Sequence, residues 1–269
     1  MKLSLCLEMV FPEHPFAGRL RAAARLGYRA VEFWDWKNKD QNELPRLARD
    51  LGLEVSAFSG NRQYTLTNPA DRAGLLEELR RSLDAASHWG CGHLMLLADR
   101  LLDDGSAAPL PADLSDQAKL DSMAESLAQA ARLARGSGVI LAPEPLNTKL
   151  DHPRYFLASS AAGFDLVRRV DAPEVRLLYD VYHMSMMGED AAASLEAGFP
   201  WLGYVHAADM PGRHEPGSGT IDYKRVMATL RRLGYQGAIG LEFSPSGDSE
   251  ASARAALERL SAGSSAPST

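Results

Sequence analysis

The sequence predicts a single α/β domain, a (β/α)8 TIM barrel, on three observations. Short apolar runs alternate strictly with longer amphipathic segments, eight of each. Alternation of strand and helix implies a parallel sheet, and eight such units imply that the sheet closes into a barrel. The 269 residues are a usual length for such a barrel. The alternative, an open doubly wound sheet, would want a Gly-x-Gly-x-x-Gly turn after an early strand, and the sequence has none.

The predicted strands are short, rich in apolar residues and bounded by turn-forming residues. In chain order they are 3–9, 30–34, 54–59, 93–98, 139–144, 175–180, 202–209 and 237–243.

The predicted helices show apolar residues at three- and four-residue spacing, as at Leu120, Met123 and Leu127. Gly27 and Gly90 are among the glycines that fall at or just beyond their ends. The helices are 14–26, 40–51, 70–89, 115–136, 158–170, 189–198, 222–233 and 248–261.

The barrel is expected over residues 1–260, followed by a small polar tail, 261–269, that is expected to be disordered. The segment 99–116 between the fourth strand and the next helix is long enough to form a lid or part of the rim.

The composition limits the classes of binding partner that we expect for this protein. A formal net charge of -6 argues against a broad phosphate-binding surface. Two cysteines form no disulfide framework, and no apolar run approaches the roughly 20 residues of a membrane span. Glu8 interrupts the first apolar run, against a signal peptide. We therefore expect a cytoplasmic protein with a small-molecule substrate and no nucleic-acid or membrane partner. A homo-oligomer is left open.

Four successive strands end in residues able to bind a metal. Counting the alternation of strand side chains places Glu144, Asp180, His206 and Glu242 on the inward face at the carboxyl ends, where barrel active sites lie. One acidic strand end is more often a helix cap, but four in register indicate a site. We call the opening at the carboxyl end of the barrel the mouth. Three carboxylates that share this opening, shielded from water, would raise each other's pKa, and a bound divalent cation would offset their repulsion. The donor set favours Mg, Mn or Co, with zinc as a further option.

Further residues are expected to contact the substrate. His183 follows Asp180 by three and is expected where the chain turns across the mouth. Arg213 could clamp a carboxylate or phosphate, or equally pair with Glu215 at the surface. Trp34, the last residue of the second predicted strand, could form an apolar wall or pack in the core. Asn61, after the third strand, is expected to reach the substrate.

Several motifs together resemble the hydroxypyruvate isomerase branch of the xylose-isomerase-like barrels, the AP endonuclease 2 type, over nearly the whole chain. The resemblance implies that Glu144, Asp180, His206 and Glu242 bind the metal and that the two glutamates transfer the proton. It also implies that His183 and Arg213 contact substrate oxygens. The motifs are VEFWDW (31–36), EPLNTKLDHPRYFL (144–157), YDVYHM (179–184), HAADMPGRHEPGSGTIDY (206–223) and GAIGLEF (237–243).

Departures from the family pattern bear on the substrate. Members assigned as hydroxypyruvate isomerases often have Gln where this chain has His206, which leaves the exact substrate open. Ketose 3-epimerases have a further Glu where this chain has Leu150. The repair enzymes of the superfamily use additional histidines after the third and fourth strands. This chain has none there, which argues against DNA cleavage.

The predicted activity is therefore a divalent-metal-dependent aldose–ketose isomerase of a small hydroxy-oxo acid or sugar. Hydroxypyruvate would be converted to tartronate semialdehyde through an enediolate. A sugar 3-epimerase or an inosose-type dehydratase would use the same residues and stays an alternative. A binding protein without catalysis is a further one, although it would have no need of two opposed glutamates.

Overall fold

The structure is a computed structural model that describes residues 1–261. Eight strands, all paired in parallel, form its sheet. They are β1 (Lys2–Cys6), β2 (Ala30–Phe33), β3 (Glu54–Ser59), β4 (His93–Leu96), β5 (Ile140–Pro143), β6 (Leu177–Asp180), β7 (Leu202–Ala207) and β8 (Ala238–Leu241).

The sheet closes on itself between β5 and β6. Across the rest of the sheet, hydrogen-bonded neighbouring strands follow the order β5-β4-β3-β2-β1-β8-β7-β6. The backbone N–H of Leu141 donates to the carbonyl of Glu174 at 2.8 Å, and that of Arg176 donates to the carbonyl of Leu141 at 3.1 Å. These bonds join the two ends of the sheet just before β6 begins, and the predicted (β/α)8 barrel is confirmed.

Helices follow the strands as the periodicity predicts, with one short addition after β6. Ser115 and Ser159 cap two of them by accepting backbone N–H bonds, and Gly27 and Gly90 end two others in the left-handed conformation. The helices are α1 (Phe16–Leu26), α2 (Glu43–Asp50), α3 (Arg72–Trp89), α4 (Asp116–Ala134), α5 (Ser160–Val170), α6 (Val181–Met187), α7 (Ala191–Gly198), α8 (Tyr223–Arg232) and α9 (Ser249–Ser261). The predicted disordered tail lies, from residue 262, outside the described residues.

The apolar core has two parts, and the smaller one fills the barrel interior beneath the mouth. The larger part packs the helices on the outside of the sheet. The interior cluster consists of Ala57, Met95, Ala142, Leu178, Tyr204 and Ala238, with Trp34 packed against it. Four of these residues occupy positions that strand alternation predicts as inward. The residues that point into the mouth come two positions later on β5, β6 and β7 and four positions later on β8.

No helix within residues 1–261 is both long and apolar enough to cross a membrane.

Candidate metal centre and substrate cavity

Three buried carboxylates meet at the carboxyl end of the barrel. Glu144 and Glu242 each follow the last residue of a strand, β5 and β8, and Asp180 ends β6. One oxygen of each lies within 4.8 Å of the others and of a ring nitrogen of His183, so by distance alone this group of four could hold a metal ion. All four residues are buried. The barrel therefore brings side chains from three separate strands to one point, as the strand-end count predicts.

The electrostatics of this cluster fit a divalent cation. Burial raises the pKa of Glu144 to about 7 and raises the pKa of Asp180. Asp180 Oδ2 is buried and accepts no hydrogen bond from residues 1–261. A buried carboxylate oxygen without a partner is costly. A cation bound by Glu144, Asp180 and Glu242 would supply that partner and offset the repulsion.

His206 on β7 lies against all three carboxylates. Its Nδ1 is 2.9 Å from Glu144 Oε1, 3.9 Å from Asp180 Oδ2 and 3.7 Å from Glu242 Oε2. Burial lowers the pKa of this imidazole, but the neighbouring carboxylates outweigh that effect and raise it well above the ordinary value. Nδ1 is thus within 4 Å of one oxygen of each carboxylate, and the role of His206 as a ligand stays a prediction.

The second ring nitrogen of His206 faces another buried carboxylate, that of Glu32 on β2. His206 Nε2 is 3.2 Å from Glu32 Oε1, although the angle is not that of a hydrogen bond. Glu32 Oε2 accepts a hydrogen bond from the Tyr204 hydroxyl at 2.6 Å. Gly240 on β8 leaves room for this carboxylate, since a methyl group there would overlap it. A carboxylate behind a metal-binding histidine orients the ring and selects its tautomer.

The ring nitrogens of His183 are used differently from those of His206, because His183 Nδ1 accepts hydrogen bonds. The backbone N–H of Asn147 points at Nδ1 from 3.4 Å and its side-chain amide from 2.7 Å. The side-chain oxygen of Asn147, Oδ1, accepts hydrogen bonds from the backbone N–H groups of Leu150 and Asp151, which fixes the orientation of the side-chain amide. Burial, together with the charge of Arg213, holds the pKa of His183 well below its ordinary value. The neutral ring must then carry its proton on Nε2, so Nε2 is a hydrogen-bond donor and offers no lone pair to a cation.

Glu242 is held by Trp34 and Arg213, two of the residues predicted from the sequence to line the cavity or to contact the substrate. Trp34 Nε1 donates to Glu242 Oε1 at 2.6 Å, and the guanidinium of Arg213 donates to Oε2. Burial alone would raise the pKa of Glu242, but Arg213 and His206 outweigh it, and the pKa is lowered. The alternative pairing of Arg213 is not the one found, since Glu215 accepts from Ser246 instead.

Arg213 lies in a strained but well-supported loop. Its φ is 56°, in the left-handed region that side chains rarely adopt. Buried Asp209 accepts backbone N–H bonds from Gly217 at 2.8 Å and Ile221 at 3.0 Å, which fixes the loop on either side. The Arg213 guanidinium lies 5.6 Å from the centre of the Tyr182 ring. Strain held in place this way is typical of a residue positioned for a function.

Asn61 is not brought together with the others. Its amide donates to the backbone carbonyls of Tyr64 at 2.8 Å and Leu97 at 3.0 Å, and its oxygen accepts from the Leu97 N–H at 3.0 Å. The side chain is 1% exposed. With every polar atom engaged, Asn61 ties the end of β3 to the end of β4 and has no donor free for a substrate.

Three residues of the site, Glu32, Asn147 and His152, are not among those that the sequence predicts. Glu32 falls on the inward face of β2, so the same alternation count would have found it. Asn147 and His152 lie in the loop after β5, where no periodicity applies. The phrase EPLNTKLDHPRYFL contains both, but its letters do not reveal which side chains turn inward.

A cavity of about 430 Å³ opens above the carboxylates. Trp34, Met95 and Leu146 line it, together with Leu101 and Leu102 from the segment 99–116. His152, His183, Arg213 and Arg62 also face it. The cavity is thus apolar on much of its wall, with polar groups converging at its base, as in small-molecule sites.

The chain belongs to the xylose isomerase-like TIM barrel family, whose family profile matches residues 20–262. This agrees with the resemblance drawn from the motifs. A Streptomyces coelicolor protein provisionally named hydroxypyruvate isomerase is 32% identical over 273 residues, covering 93% of this chain and 93% of the relative. The 2-oxo-tetronate isomerase of Cupriavidus necator is 30% identical over 247 residues, covering 89% of this chain and 91% of the relative.

A solved structure has the same fold. The crystal structure of a family 2 AP endonuclease from Brucella melitensis superposes with a TM-score of 0.84 at 25% identity, covering 96% of this chain and 98% of that one. The prediction of an enzyme of the isomerase class is supported by the names of the sequence relatives.

Proposed function

We propose that this chain is a divalent-metal-dependent aldose–ketose isomerase that interconverts hydroxypyruvate and tartronate semialdehyde. One observation supports it above the others. Glu144 and Glu242, on strands three apart around the barrel, are both buried at the mouth, and one oxygen of each lies within 4.8 Å of the other. Two carboxylates placed in this way suit proton transfers to and from one bound substrate. Mg, Mn or Co is the proposed ion, held by Glu144, Asp180, His206 and Glu242.

The reaction moves one proton between neighbouring carbons. A bound divalent cation would withdraw electrons from adjacent carbonyl and hydroxyl oxygens and so acidify the C–H between them. The ionised Glu242 carboxylate takes a proton from C3 of hydroxypyruvate, and the double bond shifts to join C2 and C3. Glu242 then returns this proton to C2, and the Glu144 carboxylate carries the proton of O3 to O2. Both glutamates end ionised as they began, and the product is the isomeric aldehyde.

Two donors are available for the substrate. His183 Nε2 is a buried N–H without an acceptor among residues 1–261, and so is Arg213 Nε. A substrate oxygen beside His183 would satisfy the first. The carboxylate of hydroxypyruvate would satisfy the second, since guanidinium groups bind carboxylates strongly. The 2-oxo-tetronate isomerase and hydroxypyruvate isomerase names of the relatives both describe isomerases, and both substrate types carry this carboxylate.

Solvent deuterium exchange at C3 of hydroxypyruvate tests the proposal. With metal-loaded protein in D₂O, proton NMR should show loss of the C3 proton signal together with formation of tartronate semialdehyde. Chelation should abolish both, and a protein-free sample gives the background rate. Glu144→Gln and Glu242→Gln should each lower the rate by at least about a hundredfold.

The matched control is Glu196→Gln, which removes an exposed glutamate paired with Arg232 far from the mouth. It should leave the rate unchanged. Full turnover in both Glu144→Gln and Glu242→Gln would refute the assignment of the proton-transferring pair. If the unmodified protein with Mg, Mn or Co neither exchanges the C3 proton nor forms tartronate semialdehyde, the proposed reaction is refuted.

A further inference from the structure

We propose that His152 is a specificity-determining residue, whose Nε2 accepts a hydrogen bond from a substrate hydroxyl beyond the two reacting carbons. The inference rests on the proposed function and adds to it the class of substrate that the cavity favours. That class is a hydroxy-oxo acid longer than three carbons, with at least one further hydroxyl group.

The tautomer of His152 follows from its backbone partner. Nδ1 lies 2.9 Å from the carbonyl oxygen of Gly105. A carbonyl oxygen can only accept, so Nδ1 carries the proton. Burial lowers the pKa of His152, which keeps the ring neutral. Nε2 is therefore an unprotonated acceptor, and it receives no hydrogen bond from any side chain or backbone group described in residues 1–261.

The ring is held in a rigid seam between two loops. Arg154 donates to Ser106 Oγ and to the Ala107 carbonyl, each at 2.9 Å, and the Ala107 N–H donates to the Pro153 carbonyl at 2.9 Å. Gly105 approaches the Asp151 carbonyl so closely that a methyl group would overlap it. The segment 99–116 is thus fastened to the loop that carries His152. An acceptor on such a seam loses little entropy when it binds a ligand.

The hydrogen-bond acceptor of His152 lies near a hydrogen-bond donor, the N–H of His183. Its ring centre is 5.1 Å from that of His183, and both residues line the cavity. His183 presents an N–H and His152 a lone pair. A hydroxyl group can accept from the first and donate to the second, whereas a carbonyl can only accept. The pair therefore suits a hydroxyl group better than an oxo group.

The size of the cavity supports a longer substrate. Allowing about 30 Å³, the share of one water, for each of its seven non-hydrogen atoms, hydroxypyruvate would fill about 210 Å³. The cavity measures about 430 Å³. Roughly half of the space would remain for further hydroxylated carbons.

Binding of two unreactive acids tests the inference without requiring turnover. Glycerate has three carbons, and ribonate has five, with two additional hydroxyl groups. Each would be titrated calorimetrically into the Mn-loaded protein and into His152→Asn. The Asn amide can replace the Nδ1 donor to Gly105 but has no atom at the Nε2 position. We expect ribonate to bind the variant at least about tenfold more weakly, and glycerate to change less than about twofold.

A second variant separates the two ends of the ring. His152→Gln can place an acceptor oxygen near the Nε2 position but gives up the Gly105 contact, and it should keep ribonate affinity within about threefold. His14→Asn, a change of an exposed histidine, is the matched control and should bind both acids normally. The inference is overturned if ribonate does not bind the unmodified protein, if His152→Asn binds it normally, or if that variant weakens both acids equally. Equal loss in the Gln and Asn variants also overturns it.

Failure of this experiment is distinguishable from failure of the proposed function. The binding comparison reports on His152 alone, whereas deuterium exchange with hydroxypyruvate reports on the two glutamates. A protein that exchanges the hydroxypyruvate proton but gives equal losses for glycerate and ribonate keeps the proposed function and loses this inference.

Discussion

The two halves of the barrel contribute different things to the mouth. Strands β5 to β8 place Glu144, Asp180, His206 and Glu242 around one point. The half formed by β1 to β4 lines the cavity with largely uncharged groups such as Trp34, Ser59, Met95 and Leu97. Its one buried acid near the cluster, Glu32, lies behind His206 instead of facing the cavity. One half thus carries the buried cluster of charges, and the other, apart from Arg62 and Asp103 at the cavity wall, shapes and supports it.

This division has a physical reason. Charged groups interact more strongly where water is excluded, and an apolar wall facing the carboxylates excludes it. If acids were spread over all eight strands, each would need its own compensation for burial. Concentrating them on neighbouring strands would let one bound cation, together with one imidazole and one guanidinium, compensate all of them. Substitutions in the charged half should therefore have the largest effects, and those in the opposite half smaller ones.

The two imidazoles of the charged half provide the sharpest test of the metal-ligand assignment. His206→Asn should lower the affinity of the metal-free protein for Mn by at least about a hundredfold, because it removes a proposed ligand. His183→Asn should leave that affinity within about fivefold, because His183 Nε2 carries a proton. Isothermal titration with Mn measures both. The reverse order of effects would show that His183 is the ligand and that its tautomer is wrongly assigned.

Glu32 belongs to the supporting half, but its substitution should change metal binding by the charged half. Glu32→Gln should lower Mn affinity by about tenfold to a hundredfold, although Glu32 does not itself reach the cluster, because the carboxylate orients His206. Tyr204→Phe removes only the hydroxyl that donates to Glu32, and a loss of a few fold is expected. If Glu32→Gln binds Mn as tightly as the unmodified protein, the carboxylate does not position His206 for the metal.

Sequence reasoning succeeds where a periodic rule applies and fails where the chain leaves it. Alternation along a strand places Tyr204 inside the barrel and His206 at the mouth, and the structure agrees. Asn61 lies past the end of β3, in a turn, where alternation no longer predicts direction, and its amide is used by the backbone. Helix α6 is only seven residues long and directly follows β6, so its pattern is too short to recognise.

His152 illustrates a different limit. Its tautomer depends on Gly105, 47 residues earlier in the chain, and that contact exists only because two loops close on each other. No local pattern encodes a pairing between loops. The alternation rule could have placed Glu32 on the inward face of β2. Its importance becomes clear only from the structure, which places His206 next to its carboxylate.

The smallest predicted effect belongs to the cavity wall. Trp34→Phe keeps an aromatic wall but removes the N–H that donates to Glu242 Oε1. The pKa of Glu242 is held below its ordinary value, with that bond among the causes, so its loss should raise this pKa. Because the proton acceptor must be ionised, activity falls as pH decreases through the Glu242 pKa, and in the variant this fall should begin at higher pH.

The expected change at neutral pH is a decrease in kcat of only a few fold, since Arg213 still holds Oε2 of Glu242. Trp36→Phe is the matched control, because Trp36 Nε1 donates to Ser82 at 3.1 Å, away from the carboxylates. The pH profile of kcat for both variants measures the effect. A profile for Trp34→Phe that superposes on that of Trp36→Phe would mean that the wall contributes shape alone, and that the separation of charge and shape between the two halves is complete at this position.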